Sequence, residues 1–403
     1  MIALFQRKRM WRPRPDLRPR YDVVIVGGGV HGLAIAYELA RRGVTDVAVI
    51  ERSYIGSGGS GRNTAIIRSN YRTEAGVRFY DESVKRYERL SVELGFNVLF
   101  SQEGHLTLAH TESAITGLRV RADTNQLNGV DSRIVWPDEI RRLVPMLDLS
   151  SKPRFPILAG LYHPPGGIIR HDAVVWAYAR AADRLGVEIH PFTEVTGVAV
   201  AGGRVQGVTT SRGPVAAGTV VNATAGWAST IAAMAGVRLP IVTHPLQAFV
   251  TEPLKPFLDK VIVSATYHVY ITQTDRGELV IGQEIDPYSS YSLRSTLPFL
   301  ETGAAHAVEL LPCIAGVKVL RQWAGICDMT PDFAPIMSTT EVEGFVVDVG
   351  WGTYGFKAAP AAGYRVAELV ATGRSPDVIA PFSLDRFAND RLLGEKAAAA
   401  VSH

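Results

Sequence analysis

The chain has 403 residues, 47% hydrophobic and 20% charged. That is the balance of a globular protein long enough for two domains, and it excludes a disordered or fibrous chain. Forty-two Lys and Arg against 39 Asp and Glu leave a formal charge of +3, too near neutral for a protein that coats nucleic acid. Only Cys313 and Cys327 are present, which excludes a disulfide framework or a Cys-rich zinc site.

The elements follow in chain order. Residues 1–20 carry seven basic side chains and one acid, Asp16, with Pro13, Pro15 and Pro19 keeping the segment extended. They read as a solvated tail or, more sharply, as a basic arm that docks on another subunit, with Phe5 and Trp11 as anchors. Tyr21–Val26 is a continuous apolar run, as in a parallel strand buried on both faces. Leu33–Arg42 is a helix and Val47–Ile50 a second strand, closed by Glu51. Helices are expected at 75–94, 137–144, 172–185, 302–311 and 358–372. Strands at 195–200, 205–210 and 215–217 form a small antiparallel meander with a turn at Ala201-Gly202-Gly203. A strand over 266–272 and a last one over 344–349 complete the set.

The fold class is α/β (α+β): a Rossmann-like dinucleotide-binding domain with an inserted, mainly antiparallel-sheet substrate domain. The first is assigned residues 21–75, 151–245 and 325–385, the second 76–150 and 246–324, and 386–403 form a tail. No apolar run reaches the roughly 18 residues of a membrane span. The basic start is not followed by the apolar stretch of a signal peptide. Neither a membrane, a nucleic acid nor a metal is expected, and the location is read as cytoplasmic.

Gly27-Gly28-Gly29-Val30-His31-Gly32 fits G-x-G-x-x-G between a strand and a helix, with an acid ending the next strand. Gly27 permits the tight turn, Gly29 lets backbone approach a pyrophosphate, and Gly32 allows close helix–strand packing. The helix start faces the phosphates, and Glu51 suits a ribose hydroxyl. Three further elements argue for FAD rather than NAD. The loop Ser57–Thr64, with Asn63 and Thr64, offers amides and hydroxyls to a long cofactor. The strand Val220–Gly226 ends in small residues where backbone passes close to it. Gly350–Lys357, with Gly352 and Gly355, brings a helix start and a lysine to the electron-rich edge of a reduced flavin. Val30, His31, Ile66, Val195 and Gly226 complete the expected cofactor contacts. His268 and Tyr270 alternate on one strand face and are read either as residues lining a substrate pocket or as a satisfied core His–Tyr pair.

Together the GGGVHG start, Gly61–Tyr71, Ala223–Gly226 and Gly352–Lys357 resemble the D-amino-acid oxidase and glycine oxidase superfamily over residues 20–385. Within it they resemble the beta subunits of heterotetrameric sarcosine oxidases. The resemblance implies non-covalent FAD, since the position matching the flavin-linked cysteine of monomeric relatives is Gly325, with Cys327 two residues away. It implies a second flavin, FMN, covalently attached at His171 near an interface with a large alpha subunit, in a complex with smaller subunits. Arg68 and Lys357 match the clamp for the carboxylate of a small secondary amino acid. A phenol at Tyr354, where the family more often has a small residue, would narrow the pocket. The implied activity is oxidative demethylation of sarcosine or a related N-methyl amino acid. Electrons pass to FMN and oxygen, giving hydrogen peroxide. The alternatives are a dye-linked dehydrogenase subunit for proline, N-methylglutamate or an opine, and a non-catalytic flavoprotein scaffold, which would have no need of Arg68 and Lys357.

Overall fold

The structure is a computed structural model that describes residues 10–12, 14 and 16–395. It is built on two eight-stranded sheets. In the first, the buried strand Arg20–Val26 lies between Val47–Ile50 and Gly213–Asn222, parallel to both, with Val24 opposite Ala48 and Val220. Glu188–His190 extends one side, and Phe345–Val349 and Ile336–Thr339 extend the other. The meander strands Val195–Ala201 and Arg204–Thr210 lead into Gly213–Asn222. The expected short strand over 215–217 is thus part of a ten-residue strand that closes the meander and then enters the parallel sheet.

Helix Val30–Arg41 begins directly after Gly29 and packs between Gly355–Thr372 and His171–Arg184. Its approach to the last helix is close: a Cβ on Gly363 would lie 2.6 Å from the Ala34 Cβ. Helix Glu74–Leu94 packs on the same last helix and shares its hydrophobic core.

The second sheet runs Val319–Met329, Val242–Pro253, Glu278–Ile285, Val269–Gln273, Val261–Ser264, His105–Ala109, Ala159–His163, Arg133–Val135. All neighbours are antiparallel except Val261–Ser264 with His105–Ala109. Helix Leu297–Leu310 covers its apolar face. That helix starts five residues before the expected Thr302, with Pro298 in its first turn where no amide is needed.

Several expectations change. Ala159–His163 and Val319–Met329 belong to the second sheet, although the first and the end of the second were assigned to the dinucleotide-binding unit. Glu74–Leu94, assigned to the substrate domain, buries its apolar stripe in the first core. Trp11 packs against that same core, and Arg12 pairs with Asp183 at 3.2 Å, so this part of the arm lies on its own chain. Phe5 lies outside the described residues. Nor are 386–395 a loose tail. Arg386 is fully buried in an ion pair with Asp332 at 2.7 Å, and the Glu395 carboxylate accepts from the Arg72 and Thr73 amides. Among the described residues no helix is long and apolar enough to cross a membrane, and no cluster of metal-ligating side chains occurs.

Candidate active site

The site begins at the glycine turn. Gly27 has φ +112, and a Cβ there would lie 2.4 Å from the Ala223 carbonyl oxygen. A Cβ on Gly32 would lie 2.0 Å from the Gly27 carbonyl oxygen, so only glycine lets the helix start so close to the turn. The N-cap residue, Gly29, has no side chain to cap this helix; the Val30 amide donates instead to Ser60 Oγ at 2.9 Å. The Glu51 carboxylate accepts from the Gly28 and Ser53 amides, 2.9 Å each, and is thereby held at the end of its strand.

A cavity of about 550 Å³ runs from this turn to the second sheet. Gly27, Gly29, Val30, His31 and Glu51 line its first part. Asn63, Thr64 and Ile66 line the loop side, Val195 lies on the meander, and Gly352 and Gly355 on the start of the last helix. Arg68, Lys357, His268 and Tyr270 line the other end. The chain therefore gathers residues from 27 to 357 onto one cavity.

Three expected cofactor residues stand elsewhere. Gly32 supports the turn from behind. A Cβ on Gly226 would lie 2.5 Å from Ile326 Cγ2, so Gly226 is small to admit that strand while Ala223, Thr224 and Ala225 face the cavity. His171 is the first residue of its helix and is half-buried outside the cavity lining. Burial lowers its pKa, with Asp172 opposing, so the imidazole is neutral at physiological pH.

His31 lines the cavity, but its ring is committed to the protein. Nδ1 lies 2.8 Å from Asp348 Oδ2 and Nε2 2.7 Å from the Gly355 carbonyl oxygen. Two acceptors demand two donors, hence an imidazolium. Burial opposes the charge, yet the Asp348 carboxylate raises the pKa. His31 thus ties the glycine turn to the last strand and helix. Two further expectations are corrected. His268 is not on the strand face with Tyr270: the strand starts at Val269, and His268 sits in the turn before it at φ +49. Tyr354 does not narrow the pocket. It points into an aromatic cluster with Tyr71 and Tyr80, and its hydroxyl donates to the Glu395 carbonyl oxygen at 2.8 Å.

The far end is cationic. Arg68 is 5% exposed and donates from Nη1 to the Asn70 carbonyl and side-chain oxygens, 3.0 Å each. Lys357 lies in the first turn of the last helix; burial, then Arg68, pull its pKa well down. Tyr270 remains a neutral phenol, its pKa raised by burial. A Cβ on Gly282 would lie 2.1 Å from its hydroxyl, so the glycine makes room for the ring.

Sequence reasoning missed His105, Thr107 and Arg121, all buried and all on this cavity; Asp328, read from the sequence as structural, lines it too. Burial and the surrounding cations keep His105 neutral, and burial with Arg68 pulls Arg121 down to about 9. Asp328 accepts from the Gly350 and Gly352 amides at 2.6 and 3.2 Å and shapes the glycine loop; burial raises it to about 6. Cys327 is a buried thiol whose pKa burial raises, which makes it a poor nucleophile.

The tight turn, a helix start with glycine at its N-cap and the acid-ended second strand fit a dinucleotide, and the cavity continuing past them to a cationic end fits a flavin dinucleotide with substrate room. The chain belongs to the FAD-dependent oxidoreductase family, whose model matches residues 22–369, and is an enzyme of that class.

Among its relatives it is similar to sarcosine oxidase subunit beta of Rhodobacter capsulatus, 46% identical, covering 96% of this chain and 94% of that protein. Sarcosine oxidase subunit beta of Arthrobacter sp. is 44% identical, covering 96% of each chain. Among solved structures, L-proline dehydrogenase of P. horikoshii superimposes with a TM-score of 0.87 at 32% identity, covering 93% of this chain and 100% of that one.

Proposed function

We propose that this chain is the amine-oxidising subunit of a sarcosine-oxidase-like complex, acting on sarcosine or a related N-methyl or secondary amino acid. The observation that carries the reading is that Arg68 and Lys357, about 290 residues apart in sequence, share one cavity with the dinucleotide turn. The chain's similarity to two sarcosine oxidase beta subunits supports it.

FAD, held non-covalently along the glycine turn, Glu51 and the Ser57–Thr64 loop, would supply the acceptor for a hydride from carbon next to the amine nitrogen. Arg68 offers its guanidinium, and Lys357 its amine, to the substrate carboxylate. The depressed lysine makes sense here: buried, and next to Arg68, it holds its proton poorly until a carboxylate restores the balance. Tyr270 and His105 are both neutral, so these two offer a substrate nitrogen hydrogen bonds rather than charge. Asp328 and His31 hold the Gly350–Gly355 loop and orient the helix start that carries Lys357.

His171 would carry the covalent FMN, which would supply the outlet to oxygen with release of hydrogen peroxide. Its neutral imidazole keeps a nucleophilic lone pair, and it stands half-buried outside the main cavity. The partners would be a large alpha subunit and smaller subunits, in the cytoplasm. The similarity to an L-proline dehydrogenase structure favours a second reading, a dehydrogenase using a dye or carrier in place of oxygen.

The experiment is to co-express the chain with its chromosomal neighbours and screen a panel of amino acids for oxygen uptake and for dye reduction. Oxygen uptake with sarcosine supports the first reading, dye reduction with proline but no oxygen uptake the second. Bound flavin that no amine reduces would refute both in favour of a scaffold.

A further inference from the structure

Arg68 is held by a buried segment, Ser69–Tyr71, that three other side chains grip one backbone group at a time. The Ser69 amide donates to His163 Nε2 at 3.2 Å. Arg121 Nε donates to the Asn70 carbonyl oxygen at 2.6 Å, and Asn125 Nδ2 to the Tyr71 carbonyl oxygen at 2.7 Å. All three are at least nine-tenths buried. Arg121 and Asn125 stand one turn apart on helix Glu112–Leu127, so one helix face makes two of the three contacts.

The Asn70 carbonyl oxygen therefore accepts from both guanidiniums, Arg121 at 2.6 Å and Arg68 at 3.0 Å. The two cations sit no farther apart than those distances allow in sum. Two like charges this close repel, and burying the second adds a desolvation cost. Arg121 Nη2 is buried with no hydrogen-bond partner, although Arg121 lines the cavity. Pinning backbone needs no charge, as the neutral amide of Asn125 demonstrates one turn on. What a guanidinium adds is a planar donor group that holds its geometry and a positive field directed at the cavity.

We propose that Arg121 is a positioning residue for the carboxylate clamp, fixing Arg68 through the shared Asn70 carbonyl and adding its own positive field where the substrate carboxylate binds. This rests on the reading that Arg68 receives that carboxylate. Burial and Arg68 together lower the Arg121 pKa, which places the same repulsion in the empty site that an anion relieves.

The test is a mutant cycle in the holoenzyme with Arg121→Met, Arg68→Met and the double variant, plus Arg121→Gln and Arg121→Lys. Acetate is the probe, its Kd read from the shift in the flavin visible spectrum. Sarcosine and sarcosinamide, which lacks the carboxylate, are compared as substrates. Losing a hydrogen bond from a charged group predicts an acetate Kd and a sarcosine KM higher by about 10- to 100-fold in Arg121→Met, with sarcosinamide changed by less than about threefold. Arg121→Lys restores part of the affinity. The double variant loses less affinity than the product of the two single losses, because Arg121 acts in part through Arg68.

If Arg121→Met does not fold, Arg121→Gln carries the test, since its amide keeps a donor toward Asn70 without the charge. An unchanged acetate Kd with only a lower Tm would make Arg121 a structural residue and overturn the proposal. So would independent, multiplying effects in the double variant. If Arg68→Met itself leaves acetate binding intact, the underlying clamp fails and this inference with it; weak binding in Arg68→Met with normal binding in Arg121→Met overturns the inference alone.

Discussion

Replacing Lys357 by methionine keeps most of the side chain's bulk and removes its charge. In the protein the lysine stands in the cavity wall, and Arg68 and Cys327 are the groups that act on its charge. The empty site thus holds a desolvated amine beside a guanidinium, an arrangement that becomes favourable once a carboxylate arrives. Removing one partner of such a buried charge pair costs about 2–5 kcal/mol of binding. At about 1.4 kcal/mol per tenfold, the carboxylate Kd rises by roughly 30- to 4,000-fold. Stability moves the other way: with the lysine's desolvation and the repulsion gone, the substrate-free Tm stays level or rises. The sign with pH follows from linkage. The folded pKa is depressed, so the unfolded chain binds more protons between that value and the ordinary lysine value. Wild type therefore loses stability as pH falls through this window, and Lys357→Met lacks that slope. Acetate titration of the flavin spectrum and thermal melts across pH read both effects. Unchanged acetate affinity in a folded, FAD-loaded variant would refute the clamp.

Three other outcomes are expected. Gly32→Ala places a methyl 2.0 Å from the Gly27 carbonyl oxygen, so the turn must move; the purified protein should lose most of its FAD, read as the flavin-to-protein ratio after gel filtration. His31 has a raised pKa, so its stabilising charge is fully present below the ordinary imidazole value and is lost as pH rises through the raised one. His31→Gln should flatten the alkaline decline of Tm, and a decline of equal slope in the variant would argue against the imidazolium. His171→Ala should leave anaerobic FAD reduction by substrate intact while abolishing electron transfer to oxygen, and the His171 peptide of the active complex should carry the mass of FMN. A flavin-free peptide from active complex promotes the single-flavin dehydrogenase.

The dinucleotide half of the site was legible because its mechanics are local. A strand, a glycine turn, a helix and an acid lie within Tyr21–Glu51, and each glycine answers a contact that backbone geometry imposes. The cationic end was only half legible. Arg68 and Lys357 came from motif resemblance, whereas Arg121 and His105 came from elements that periodicity does not reveal. Helix Glu112–Leu127 buries Ile115, Arg121, Ala122 and Asn125, so its inner face is half polar and shows no apolar stripe. His105 begins a fully buried strand whose neighbours are distant in sequence, Val261 on one side and His163 on the other. The domain boundaries missed for the same reason: which sheet receives Ala159–His163 depends on long-range pairing rather than on its own residues. His268 and Tyr270 looked alternate only because the strand was started three residues too early; a positive φ at a histidine leaves no trace in an apolar pattern.

The central claim is that one cavity holds non-covalent FAD and presents a secondary amino acid to it. The most direct measurement is anaerobic mixing of the purified complex with sarcosine, with the flavin visible absorbance followed in time and FAD then released by acid precipitation. Expected are rapid loss of the oxidised-flavin absorbance at a rate that saturates with sarcosine, competition by acetate, and FAD in the acid supernatant. An absorbance that no sarcosine or proline concentration bleaches, or FAD that stays with the precipitated chain, would contradict it.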